Sequence, residues 1–184
     1  MNTKLVGVGG GTGSGKTTLC RKVKKELGDL LCLISLDNYF YKNAESHNKP
    51  ESINIEKFLE DLDKLRKGKE GFTVSHKQQI YRTRPIILVE GHLTLTFSDL
   101  FKQLDLSIFV DMDVEERVIR RLERNMEYDS SDFKRITSWY RNDVKDNHWK
   151  YIEPTKEKAD LIIWGEANDR RVTVLADVLK GLIK

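Results

Sequence analysis

The chain is predicted to be an α/β domain in which helices cover both faces of a parallel sheet. Three observations predict it. Apolar runs of strand length alternate with stretches of helical periodicity along the whole chain. The runs are continuous rather than alternately apolar and polar, as expected of strands buried on both faces. The first run leads into Gly10-Gly11-Thr12-Gly13-Ser14-Gly15-Lys16-Thr17, of the form G-x-x-x-x-G-K-[ST], and a helical stretch starts where that loop ends.

Each element has its own signal. Leu5-Val6-Gly7-Val8 is the first buried strand, and Leu19, Val23 and Leu27 recur at helical spacing beyond the glycines. Leu30-Leu31-Cys32-Leu33-Ile34-Ser35 is a second strand. A polar loop with Asn43, Asn48 and Pro50 leads to a helix carrying Ile55, Phe58, Leu59, Leu62 and Leu65. Gly68 and Gly71 end that helix, and Phe72-Thr73-Val74 is a short strand or ribbon. Pro85 precedes the strand Ile86-Ile87-Leu88-Val89, and Leu106-Ser107-Ile108-Phe109-Val110 is another. Asp113 with Glu116 three residues on has the pattern of a capping box. A polar stretch from Glu127 to Asp132 separates that helix from a further one reaching about Lys150. Leu161-Ile162-Ile163-Trp164 is the last strand. Asn168 caps a closing helix bearing Val172, Leu175, Val178, Leu179 and Leu182.

A length of 184 residues suits one domain spanning 1–184. With 32 Lys and Arg against 29 Asp and Glu, the net charge of +3 is mild and calls for no nucleic-acid or membrane partner. Cys20 falls in the first helix and Cys32 in a strand, so both are expected as core thiols rather than a disulfide or metal site. No segment approaches the ~18 apolar residues of a spanning helix, and no signal-peptide pattern opens the chain. The expected location is cytoplasmic, with homo-oligomerisation left open.

The glycine-rich loop predicts nucleoside triphosphate binding. Its glycines let successive N–H groups of Gly11, Thr12, Gly13, Ser14, Gly15 and Thr18 converge on phosphate, with a helix N-terminus behind them. Lys16 reaches the β- and γ-phosphates, and the Thr17 hydroxyl ligates Mg²⁺. A GTPase is not indicated: the nearest approach to N-K-x-D, Asn48-Lys49-Pro50-Glu51, ends in Glu and follows no strand, and no D-x-x-G segment occurs. A small kinase needs a carboxylate facing the acceptor hydroxyl, a Mg²⁺-directed carboxylate and cations over the transferring group.

Asp37, after the second strand, and Glu90, after Ile86–Val89, both fall at the sheet edge that carries the loop. Asp37 suits proton acceptance, Mg²⁺ binding or both, and Glu90 suits Mg²⁺. Turn-capping for Asp37 and a neighbour-satisfied strand-end charge for Glu90 are the plainer alternatives. Arg117, Arg120, Arg121 and Arg124 form one helical stripe, with Val114, Val118, Leu122 and Met126 opposite. A solvated face would show the same pattern. His92 touches the acceptor or caps a turn, Trp139 and Trp149 are expected to pack between helices, and His47, His76 and His148 lack metal-ligand spacing.

Taken together, the residues resemble the uridine kinase and phosphoribulokinase type of small P-loop kinases, in order and along nearly the whole chain. The resemblance rests on residues 10–18, on Ser35-Leu36-Asp37-Asn38-Tyr39-Phe40, on Val89-Glu90-Gly91, on Phe109-Val110-Asp111 through Arg117, Arg120, Arg121 and Arg124, and on Glu153-Pro154-Thr155-Lys156 through Ala159-Asp160-Leu161-Ile162-Ile163. It implies a P-loop NTPase fold, a three-layer sandwich with a five-stranded parallel sheet and a mobile helical lid at approximately 120–140. It further implies transfer of the γ-phosphoryl of ATP to a ribose 5′-hydroxyl with Mg²⁺, the acceptor being a small nucleoside-like molecule. By resemblance Asp37 is the base, and Thr17, Asp37 and Glu90 form the Mg²⁺ shell. Lys16, Arg121 and Arg124 contact the phosphates, and Pro154 and Gly165 lie near adenine. The acceptor falls to Asp37, Tyr39, Asn48, Tyr81, Arg84, His92 and Arg121.

The departures cluster at the acceptor end. Where uridine-type members carry Phe-Asp-His-Pro, this chain has His47-Asn48-Lys49-Pro50. The base-reading ribbon is shortened, leaving Ser75-His76-Lys77, Tyr81, Arg82 and Arg84 as candidates. Two lid arginines are replaced by Asp129 and Ser131, with Lys134 and Arg135 following. Nicotinamide riboside, another nucleoside, a non-nucleoside alcohol or a nucleotide acceptor bound by Arg82, Arg84 and Lys49 remain alternatives, as does a non-catalytic nucleotide-binding regulator.

Overall fold

The computed structural model describes residues 3–68, 73–74, 79–129 and 132–184. Strand β1 (Lys4–Gly9) enters the glycine loop, and α1 (Lys16–Leu27) leaves it. Then come β2 (Leu31–Ser35), α2 (Ile55–Arg66) and a two-stranded ribbon of β3 (Thr73–Val74) and β4 (Gln79–Ile80). β5 (Ile86–Glu90), α3 (Ser98–Phe101), β6 (Leu106–Asp111) and α4 (Val114–Asp129) follow. Beyond α5 (Phe133–Trp139) the helix is wound as π over Tyr140–Val144, as α6 over Lys145–Asn147, and as π again over His148–Ile152. β7 (Leu161–Trp164) and α7 (Asp169–Gly181) complete the order.

Five strands make one parallel sheet in the order β2-β5-β1-β6-β7. Successive residues of a strand feed opposite layers, which is why the runs are apolar without alternation. Leu5, Ile87, Val89 and Phe109 pack with Phe58, Leu62 and Leu65 of α2. Val6, Val8, Ile86, Leu88, Ile108 and Val110 pack with α1 and with Val172, Leu175, Ala176 and Leu179 of α7. The result is the expected three-layer sandwich. Gly7 and Gly9 leave room on the α2 side: a Cβ there would come within 2.6 Å of Leu104 and 2.7 Å of Leu95.

The helix ends follow local chemistry. Asn54 caps α2 by accepting from Lys57 N–H at 3.0 Å, and Asn168 caps α7 by accepting from Arg171 N–H at 3.0 Å. α2 stops at Arg66, and Gly68 follows with φ 76°. Cys20 and Cys32 are buried free thiols. No helix among the described residues is long and apolar enough to cross a membrane.

Three expectations are corrected, and the burial of α4 is settled. Leu30 belongs to a short exposed turn, so the second strand starts at Leu31. Glu116 does not complete a capping box but accepts from Arg120 Nε at 2.6 Å. β7 is an edge strand, with Ile162 and Trp164 each 52% exposed instead of buried. On α4 neither stripe is wholly buried: Arg117 is 4% exposed and Val118 and Leu122 are half-buried, whereas Arg124 is exposed and Val114 and Met126 are 42% and 53% exposed. The expectations at Gly71, Phe72, Ser75, His76, Lys77 and Ser131 lie outside the described residues, as does the side chain of Asp129.

Phe58 is fully buried and meets the edge of Tyr39 with ring centroids 5.0 Å apart. Phe58→Ala is expected to lower unfolding free energy by about 3–5 kcal/mol, read by denaturant titration of the nucleotide-free protein.

Candidate active site

The loop between β1 and α1 takes backbone torsions that glycine adopts without strain. Gly13 and Gly15 have φ of 81° and 88°, in the left-handed region. A Cβ on Gly13 would lie 2.5 Å from the main-chain oxygen of Arg117, so loop and α4 touch at backbone level. Helix α1 starts at Lys16 with no acidic residue in its first turn, leaving its free N–H groups and positive end unopposed. An anion would be drawn there.

Lys16 is buried, and its Nζ donates to the Gly11 carbonyl at 2.8 Å. Burial pushes its pKa down to about 8, and the Glu90 and Asp37 carboxylates counter this only in part. Glu90, the last residue of β5, accepts from the Thr17 hydroxyl at 3.0 Å. Its pKa is raised, first by burial and then by Asp37. The register explains the meeting: Ser35 and Val8 both lie beside Glu90, so β2, β5 and β1 end level with one another. Asp37 then projects from the short turn after β2, with its side chain 52% exposed.

Two carboxylates and a threonine hydroxyl are hard oxygen donors, and the mutual repulsion felt by Glu90 is what a divalent cation would relieve. They fit Mg²⁺. No group of three or more His, Cys, Asp or Glu suited to a metal occurs among the described residues. The remaining ligands would therefore be phosphate oxygens and water, as suits Mg²⁺.

These residues border a cleft of about 580 Å³ whose lining also includes Phe40, His47, Asn48, His92, Arg121, Arg124, Trp139 and Asp143. His92 Nε2 lies 2.8 Å from the carbonyl of His47, which can only accept, so Nε2 carries the proton. Burial, with Lys16 adding to it, pushes the His92 pKa down to about 3. The ring is neutral, and its Nδ1 lone pair stands 3.7 Å from Asp37 Oδ1.

Helix α4 turns its arginines inward. Arg121 Nη1 donates to Thr12 Oγ1 at 2.8 Å, and its guanidinium lies 4.7 Å from the centre of the Trp139 ring. Burial, then the neighbouring Arg124, lowers the Arg121 pKa to about 10. Arg117 packs behind the loop, where its Nε donates to the Met112 carbonyl at 3.2 Å and its Nη2 meets His148 Nε2 at 3.1 Å. A Cβ on Gly11 would overlap the Arg117 guanidinium at 2.1 Å, so that glycine makes room for it.

Not every expected acceptor residue reaches this cleft. Tyr39 is in the core, its hydroxyl 3.4 Å from Asp61 Oδ2, because the 3-10 turn after β2 sets it on the same face as the buried Leu36 three residues before it. Tyr81 and Arg84 line a second cavity of about 570 Å³, which shares Thr17, Asp37 and Glu90 with the first. Tyr81 accepts from Asn38 Nδ2 at 3.1 Å, and Arg84 pairs with Asp29 at 3.0 Å. Pro154 and Gly165 lie outside the cleft lining; the Gly165 N–H donates to the Asp111 carbonyl at 2.9 Å. The cleft lining also takes in Ser46 and Asp143, to which the sequence patterns give no role, Phe40, which they place only in the family segment, and Trp139, which they assign to packing. A shared helical face four residues apart was the one available signal for Trp139 and Asp143.

Three comparisons bear on this geometry. The profile of the Phosphoribulokinase / Uridine kinase family matches residues 5–170. A uridine kinase from Borrelia duttonii is 33% identical over 98% of this chain and 96% of its own, and one from Macrococcus caseolyticus is 31% identical over 99% and 98%. A solved structure of a possible uridine kinase from Bacillus stearothermophilus superposes with a TM-score of 0.61, covering 89% of each chain at 15% identity.

Between about pH 8 and pH 10.5 the unfolded chain keeps a proton on Lys16 that the folded chain has released. Its contribution to stability therefore rises with pH across that window, while any polyphosphate bound through its charge would be held less tightly. Titration of a non-hydrolysable ATP analogue should show affinity falling about ten-fold from pH 7.5 to pH 9.5.

Proposed function

The chain belongs to the phosphoribulokinase and uridine kinase family and is a P-loop kinase; we propose that it moves the γ-phosphoryl of ATP to the 5′-hydroxyl of a nucleoside, in the manner of a uridine or cytidine kinase. One observation carries this reading: Lys16, Thr17, Asp37, Glu90, Arg121 and Arg124 all border one cleft. The names of the full-length relatives support a nucleoside as acceptor.

In this reading the loop amides and Lys16 hold the β- and γ-phosphates, and Arg121 and Arg124 sit over the transferring group. Thr17, Asp37 and Glu90 would hold Mg²⁺, which when bound neutralises phosphate charge. Asp37 takes the proton of the attacking hydroxyl as its oxygen bonds to the γ-phosphorus and the bond to the ADP oxygen breaks. His92, neutral and fixed through His47, offers a second acceptor for that hydroxyl and orients it. Phe40 and Trp139 exclude water from the walls.

A second reading, a phosphorylated acceptor, is favoured by Arg82 and Arg84 in the adjoining cavity. Arg84 is already engaged by Asp29, which weakens it. Comparing uridine with its monophosphate as acceptor decides between them.

Asp37→Asn is expected to bind ATP within a few-fold of the parent and to lose about 10²–10⁴ in kcat, measured by acceptor-dependent ADP release. Undiminished turnover would remove Asp37 as the base.

A further inference from the structure

We infer that Asp143 is the carboxylate that reads a vicinal diol on the acceptor, an inference that rests on the nucleoside-kinase reading above and gives its cleft a second, acidic end. Asp143 lies in the π-wound turn Tyr140–Val144, four residues after Trp139, and both side chains line the cleft. Local π winding lets a helix aim a side chain away from its regular path, and it recurs at functional sites.

The carboxylate is oriented but not neutralised. Its Oδ1 accepts from Ser46 Oγ at 2.6 Å and from Asn147 Nδ2 at 2.8 Å, and its Oδ2 accepts from Asn48 Nδ2 at 2.8 Å. All three donors are neutral, and no Lys, Arg or His forms an ion pair with it among the described residues. Asp61, by contrast, is paired with both Lys57 and Lys64, and Asp111 with Lys156. An ionised carboxylate has about four acceptor directions, so one at Oδ2 is left for a ligand.

Asn48 stands beside it with a matching vacancy. The residue is buried, and its backbone N–H donates to Ser46 Oγ at 3.0 Å. A carboxylate can only accept, so the amide of Asn48 must present its NH₂ to Asp143, leaving Oδ1 as an acceptor. Two adjacent acceptors on a fixed frame match the two O–H donors of a cis-diol. A phosphate or carboxylate at the same place would meet the full negative charge of Asp143. The pair therefore selects a neutral, hydroxylated acceptor.

The test uses uridine, 2′-deoxyuridine and 3′-deoxyuridine with the full chain. The parent should prefer uridine over each deoxy analogue at least ten-fold in kcat/KM, the effect of about one charge-assisted hydrogen bond. Asp143→Asn should raise KM for uridine about ten-fold, bring that preference close to one, and leave KM for ATP within two-fold. Asn48→Asp alone sets two carboxylates side by side and should also weaken uridine. Combining it with Asp143→Asn returns one charge to the pair and should restore most of the preference, an outcome a packing role would not give. A parent that turns over all three nucleosides equally, or an Asp143→Asn protein that keeps the preference, overturns this inference alone. A parent inactive on every nucleoside overturns the underlying reading as well.

Discussion

One buried positive charge sets the terms for the cleft. Lys16 sits at the first turn of α1, held by a main-chain carbonyl and facing two carboxylates across the sheet edge. Taking an ammonium out of water is costly, and one carbonyl does not compensate for it. The folded protein therefore carries an electrostatic debt that a polyphosphate would relieve. The same charge helps keep His92 neutral, while burial and the nearby Asp37 carboxylate disfavour the ionisation of Glu90. Stability is given up where binding requires it.

The rest of the cleft follows from strand register and from the orientation of α4. Level strand ends bring Asp37 and Glu90 together. The buried Arg117 guanidinium, made possible by the missing side chain of Gly11, fixes the face of α4 that turns inward. Arg121 then reaches Thr12 without further help. The cleft is polarised by these choices: Lys16, Arg121 and Arg124 gather around the phosphate loop, whereas Asp143 lies among the neutral hydrogen-bonding groups of Ser46, Asn48 and Asn147.

The layers and the phosphate loop were legible because they obey local rules. Strands covered on both faces must be apolar throughout, and a loop that wraps phosphate must be rich in glycine. The face of α4 was not legible, since periodicity yields two stripes and is silent on which one is buried. The exposure of β7 escaped for a related reason: its place at the sheet edge depends on strand order, which a four-residue apolar run does not contain. Tyr39 was placed at the acceptor by the resemblance of residues 35–40 to a family segment, which does not show that the turn sends its side chain into the core and leaves that of Asp37 in the cleft. Asp143 was invisible because it meets Asn48 across 95 positions of sequence, on a helix whose winding departs from 3.6 residues per turn.

The two borders of the sheet are unlike. The cavity beside β2 carries Arg21, Lys24, Arg82 and Arg84, a basic fringe that would repel a matching copy of itself. Along β7, Ile162 and Trp164 face water and the outer strand edge has no partner within the sheet. Any lengthening of the sheet by an added strand, whether through grafting, fusion or self-association at high concentration, has its low-barrier route there. An engineer wishing to tether a sensor peptide, or to suppress clumping with a single lysine, would begin at Ile162.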